Sequence, residues 1–122
     1  MAIFAGTAGS DDINLPVPDK NFTATVVDTE GIATKCNGVS WENGKTFFRV
    51  KRGKALVTIP FEKIKKAVFA SPAGSGQVDI EIVLKSGDVL TVSVNDDVSF
   101  FGRADYGKYA ISLKNIKEIM FE

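Results

Sequence analysis

The stretch Val78-Asp79-Ile80-Glu81-Ile82-Val83-Leu84-Lys85 decides the fold class. Val78, Ile80, Ile82 and Leu84 alternate with Asp79, Glu81, Val83 and Lys85, so an extended chain here has one apolar face and one mostly solvated face. Successive side chains of a strand point to opposite sides of the sheet, which gives this period of two; a helix would spread the same residues around its axis. Ser86-Gly87-Asp88 then turns the chain, and Leu90, Val92 and Val94 line one face of the returning strand.

The same grammar extends in both directions. Upstream, Phe22 to Val27 reads as a strand, Asp28-Thr29-Glu30-Gly31 as a turn and Ile32 to Cys36 as the return. Glu42-Asn43-Gly44-Lys45 carries an Asn-Gly turn signal after Trp41. Thr46 to Lys51, the tight turn Arg52-Gly53, and Lys54 to Ile59 make a further hairpin, which Pro60 ends. In Phe61-Glu62-Lys63-Ile64-Lys65-Lys66 the apolar residues stand three apart, which suits one short helical turn, and Ala67 to Phe69 begins a closing strand. Ser71-Pro72-Ala73-Gly74-Ser75-Gly76 is a linker. Downstream, Asn95-Asp96-Asp97 is a polar loop, Tyr106-Gly107 a turn, Lys108 to Leu113 a strand, Lys114 to Lys117 a short turn and Glu118 to Glu122 the last strand.

The second half restates the first. Residues 59–69 align without gaps on residues 111–121, with Ile59/Ile111, Ile64/Ile116, Lys65/Lys117 and Phe69/Phe121 identical. Thr46-Phe47-Phe48 matches Ser99-Phe100-Phe101, and the hairpins around Gly31 and Gly87 correspond. An ordered series of matches points to duplication. Each half then reads strand, turn, strand, loop, strand, turn, strand, one helical turn, strand. This order resembles that of SH3-like and Sm-like small barrels, over residues 22–122 and in element order alone, so it carries no functional residues with it. The expected fold is all-β: two pseudo-repeated small-barrel-like halves, 22–70 and 77–122, packed as one β-barrel or β-sandwich unit. A half of this size is marginal alone, so the two should share a core.

Residues 1–21 form an extended N-terminal arm. Gly6, Gly9, Pro16 and Pro18 interrupt any period, and Ile3, Phe4, Ile13, Leu15 and Val17 are scattered apolar residues able to dock on this domain or on a neighbouring copy.

Composition sets the chemistry. The 122 residues suit one domain. Histidine is absent, which excludes Ser–His–Asp and Cys–His catalysis and removes the commonest proton carrier near neutral pH. The single Cys36 forbids an internal disulfide and makes a zinc site within one chain untenable; in a strand it reads as a buried, inert thiol. Asp11-Asp12 and Asn95-Asp96-Asp97 lack the spacing of a calcium loop and are explained by turn chemistry. Gly74-Ser75-Gly76 lacks the lysine of a phosphate-binding loop. No catalytic, cofactor or metal residue is therefore assigned, and the chain is expected not to be an enzyme. No stretch approaches the roughly 20 apolar residues of a membrane helix, so the expected compartment is the cytoplasm, or the outside after removal of a signal.

Charge is balanced overall but not along the chain. Residues 45–66 carry Lys45, Arg49, Lys51, Arg52, Lys54, Lys63, Lys65 and Lys66 against Glu62 alone. In strand geometry Phe48 and Val50 point one way, and Phe47, Arg49 and Lys51 the other. Phe47 with Arg49, Lys51, Arg52, Lys54, Lys63, Lys65 and Lys66 is thus a candidate surface for an anionic polymer, weighed against a solvated face whose cations discourage edge pairing. Trp41, Phe47, Phe48, Phe100 and Phe101 read as core. The sequence favours a module that acts by contact with a protein partner or with copies of itself, with nucleic acid as the alternative.

Overall fold

The computed structural model describes residues 14–71 and 75–122. Ten antiparallel strands form one curled half-barrel sheet: β1 (Ala24–Asp28), β2 (Ala33–Trp41), β3 (Phe47–Arg52), β4 (Ala55–Pro60), β5 (Ile64–Ala70), β6 (Gln77–Leu84), β7 (Val89–Asn95), β8 (Ser99–Ala104), β9 (Gly107–Ser112) and β10 (Ile116–Phe121). Single 3-10 turns at Glu42–Gly44, Phe61–Lys63 and Leu113–Asn115 are the helical elements among the described residues. Among these residues no helix is long and apolar enough to cross a membrane.

The order across the sheet is β4-β3-β7-β6-β5-β10-β1-β2-β8-β9. One continuous sheet that ends, among the described residues, at β4 and β9 corrects the expectation of a sandwich, and it stops short of a closed barrel. The sheet can remain single because it curls until its inner face meets itself. Three strands separate Phe48 on β3 from Phe121 on β10 in ladder order, yet their ring centroids lie 6.2 Å apart. Phe61, on the first turn after β4, touches Phe22, Phe48, Phe100 and Phe121 at 4.9 to 6.0 Å. Trp41, Phe48, Phe61 and Phe100 are fully buried, while Phe47 and Phe101 are half-buried.

The alternating strand lies as the sequence predicts, with Val78, Ile80 and Ile82 buried. Other elements differ in extent. The β2 strand runs on to Trp41, because a bulge between Asn37 and Ser40 turns its far end from β1 toward β8. Gly38 occupies that bulge at φ +57, which favours glycine. Glu42–Gly44 forms a 3-10 turn closed by the Trp41 N–H donating to the Lys45 carbonyl at 2.7 Å, rather than a two-residue hairpin turn. The helical turn at 61 stops at Lys63, since Ile64 is already extended, and β5 starts there rather than at Ala67. The β8 strand falls where alternation alone placed no strand. Its Gly102 breaks the pattern because the backbone runs close to β2: a Cβ there would lie 2.8 Å from the Cys36 Cβ.

Exchanging β1 with β6, β2 with β7, β3 with β8, β4 with β9 and β5 with β10 turns the strand order into its own reverse. Individual hydrogen bonds follow the same exchange. Phe61 N–H donates to the Thr46 carbonyl, and Leu113 N–H to the Val98 carbonyl, both at 3.0 Å. Thr29 N–H donates to Asn115, and Lys85 N–H to Lys63, both at 2.9 Å. The register break at Val27/Asp28 against β10 has its counterpart between β5 and β6.

The ring cluster makes a clear demand. Phe61→Ala removes a side chain that touches four other rings, and should destabilise the fold by about 3–5 kcal/mol in denaturant titration. Leu56→Ala, at an exposed position, should stay within about 0.5 kcal/mol of the parent.

Candidate functional site

The segment before β1 lies on the sheet rather than away from it. Asp19 N–H donates to the Gly44 carbonyl at 3.0 Å, and Val39 N–H to the Phe22 carbonyl at 3.1 Å. Gly38 N–H donates to Asn21 Oδ1 at 3.1 Å. Gly44 is buried at φ +77, and any Cβ there would collide with the Val17 carbonyl. The Lys20–Glu62 pair is exposed on both sides and adds little. Residues 14–22 thus cross the β2–β8 junction, enclosing a cleft of about 150 Å³ between Leu15–Pro18 and Gly38, Phe101, Gly102 and Arg103. Of the apolar arm residues, Leu15 is half-buried here, whereas the Val17 side chain is 87 % exposed and only its backbone is engaged. Ile3, Phe4 and Ile13 lie outside the described residues.

The basic residues do not gather into one surface. Arg49, Lys51, Arg52 and Lys54 are exposed along β3 and its turn to β4. Lys63, Lys65 and Lys66 belong to the following 3-10 turn and β5, which β7 and β6 separate from β3. At about 4.8 Å per strand the two groups are roughly 14 Å apart across the sheet. The row Lys51–Ser93–Asp79 and the neighbouring Glu81 put carboxylates between them on the same outer face. Phe47 shares that face and is half-buried.

A different grouping emerges beside β3. The β3–β7 ladder is confined to one pair, Lys51↔Ser93, whereas β6 and β7 pair along their full length. Beyond Ser93 the strands part around a cleft of about 340 Å³. Arg49, Val50, Lys51 and Leu56 form one wall; Ser93, Val94, Asn95, Asp97 and Val98 form the other; Glu42 and Gln77 close the ends. Sequence reasoning found Arg49 and Lys51 but missed the β7 wall. Asn95 and Asp97 looked like turn residues, and only the long-range strand order brings them opposite β3.

The reactive groups are sheltered. Cys36 is buried, and burial pushes its thiol from 9.0 up to about 11. Tyr109 on β9 is pushed from 10.0 up to about 12, first by burial and then by the neighbouring Cys36 and Asp28, against a hydrogen bond with Thr34. A thiol held protonated is a poor nucleophile and a poor metal ligand. Among the described residues no three His, Cys, Asp or Glu side chains cluster as a metal site. The Asp28 carboxylate accepts from the Glu30 and Ile32 N–H groups, a turn role, and the Asp96 N–H donates to the Gly76 carbonyl.

A family model with the description "Uncharacterised protein" matches residues 18–122. No curated protein matches the sequence.

The two raised groups fix the direction of the alkaline response. Both are acids whose folded pKa lies above the unfolded value, so their contribution to stability is complete below pH 9. It is lost as pH rises, through 9–11 for Cys36 and 10–12 for Tyr109. Denaturation midpoints should therefore fall across pH 9 to 12, and the fall should shrink in Cys36→Ala with Tyr109→Phe.

Proposed function

Since the chain belongs over residues 18–122 to this family of uncharacterised proteins, which lends it no activity, we propose from the geometry that it is a non-catalytic β module. It works by holding extended stretches of polypeptide, from a partner or from another copy of itself, at the junctions and free edges of its sheet. The observation that carries this reading is the seating of residues 14–22, an extended segment held by main-chain hydrogen bonds to Gly44 and to Val39 of β2 and by the Asn21 side chain accepting from Gly38. Main-chain pairing of that kind is how sheets recognise extended peptides generally. The shielding of Cys36 and the absence of histidine agree with a role that needs no bond making.

In this reading the chain is two copies of one five-strand unit, with the element order of SH3-like and Sm-like barrels, joined so that each copy lends its third and fourth strands to the other. The paired hydrogen bonds, the shared register break and the reversible strand order support it. They also shift the sequence alignment: Phe48 falls on Phe100 rather than on Phe101, because Thr46 and Val98 accept the corresponding bonds.

A second reading rests on the hairpin β3–β4. Arg49, Lys51, Arg52 and Lys54 converge on one exposed ribbon that an anionic polymer would meet first. Asp79 and Glu81 argue against a wider footprint.

Two measurements separate these readings. The number of chains per particle, read by light scattering as native mass over chain mass, should differ between the parent and a chain with its arm unseated, either by Gly44→Ala or by deletion of residues 1–20. The same number of chains for all three would end the self-assembly version. For the hairpin, oligonucleotide retention at low salt should fall with a log–log salt slope of about −3 and vanish in Arg49→Glu with Lys51→Glu. Absence of retention at low salt would dispose of it.

A further inference from the structure

We propose that the outer face of the central strands β6, β5, β10 and β1 is a self-association surface, on which a second copy of this chain lies face to face about a two-fold axis. This goes beyond the contact-module reading, which concerns extended segments at junctions and edges.

The ladder partners line up two rows across the middle of the sheet. One runs Val89–Val83–Lys66–Met120–Thr25–Lys35, the other Thr91–Glu81–Val68–Glu118–Val27–Ala33. The residues between them along each strand, such as Val26, Ala67, Ile82 and Ile119, are buried, so both rows face outward. The outward face of an antiparallel sheet is ordinarily polar. Here Val27, Val68, Val83, Val89 and Met120 gather on it, with Val89 54 % and Met120 39 % exposed. A contiguous apolar patch ringed by polar groups is the mark of an interaction surface.

The charges on this face select its occupant. Within the rows the cations Lys35 and Lys66 are matched by the carboxylates Glu81 and Glu118, and just outside them Lys65 and Lys117 are matched by Asp79 and Glu122. A surface that meets its own copy must carry no net charge, a condition that the β3–β4 ribbon with its four cations fails. At the centre the signs are arranged to fit. The alignment of residues 59–69 on 111–121 puts Lys66 and Glu118 at equivalent places with opposite charge. Lys66 pairs with Met120 and Val68 with Glu118 across the β5–β10 ladder, and neither Lys66 nor Glu118 is held in an ion pair among the described residues. When a second copy lies over the face about an axis running along the strands between β5 and β10, the partner's Met120 covers Lys66 and the partner's Glu118 covers Val68. Lys66 is then offset from the partner's Glu118 by two residues along the strand, roughly 7 Å, which two long side chains span. A two-fold contact is isologous, so this ion pair forms twice. Six strands at about 4.8 Å spacing make the face roughly 24 Å wide, the scale of a small interface, and the dimer is a reversible one.

Sedimentation equilibrium of the full chain over a concentration series should reach two chains per particle at the high end. Lys66→Glu alone and Glu118→Lys alone should each weaken the dimer at least about tenfold, because each reversal sets like charges together at both copies of the contact. An equimolar mixture of the two variants should recover the parent's affinity, since every facing pair in the mixed dimer is again of opposite sign. Damage to the fold of either variant could not be repaired by mixing. A parent that stays single at every concentration, single variants that associate as the parent does, or a mixture no tighter than its components would overturn the proposal. Chain numbers that respond to Gly44→Ala but to neither charge reversal would place the contact at the seated arm, removing this face and leaving the contact-module reading standing. The opposite pattern would keep this face and end self-assembly through the arm.

Discussion

A ten-stranded antiparallel sheet has far more apolar face than a chain of 122 residues can cover with a second layer. The sheet meets this constraint by covering itself. Phe61 and Phe48 sit where the curl closes and gather rings from strands that are distant in ladder order. The edge-to-face pairs among them, Phe48 with Phe61 and with Phe121, add about 0.5–1.5 kcal/mol each beyond the area they bury. Both 3-10 turns that precede β5 and β10 serve the same end, each dropping one large apolar residue, Phe61 or Leu113, into the interior. The curl then dictates where the sheet is weak. Strands cannot stay in full register while the surface bends, and the strain of pairing is released at β2–β8 as a bulge and at β3–β7 as a parted ladder.

Those two weak places differ in how they are finished. At β2–β8 the long second strand, the Glu42–Gly44 turn and residues 14–22 fill the gap, and Gly44 is required because the arm's backbone presses against it. The β7 strand is shorter than β2 and no corresponding turn follows it. No described segment crosses the gap beside Lys51, and hydrogen-bonding side chains run along its β7 wall. One buried hydroxyl, Ser40 at the β2 bulge, has no partner among the described residues, a local cost of adapting the strand to its two neighbours.

The fold class was legible because alternation is a local property. Val78, Ile80 and Ile82 announce their strand within eight residues, and Gly31 and Gly87 mark their turns through positive φ. Strand order was not legible. That β3 lies beside β7 depends on contacts between residues far apart in sequence. The site suffered in the same way. Arg49 and Lys51 were visible as cations on one face of a strand, but the run that contained them looked like a single basic surface until the sheet placed Asp79 and Glu81 in its middle. The arm was visible as irregular, apolar-dotted chain. That Val17 would engage through its carbonyl, and not through its side chain, follows from Gly44 alone.

The first and last strands lie side by side and antiparallel, with Ala24 opposite Phe121 and the Glu122 N–H reaching the Thr23 carbonyl. A load applied to these two ends pulls across the ladder, so its hydrogen bonds would break one after another like the teeth of a zip. A load between Thr23 and the β3–β4 ribbon would instead run through the ring-packed interior. The molecule is therefore built to yield gently along one axis and to resist along another, and any tether it forms would inherit that anisotropy.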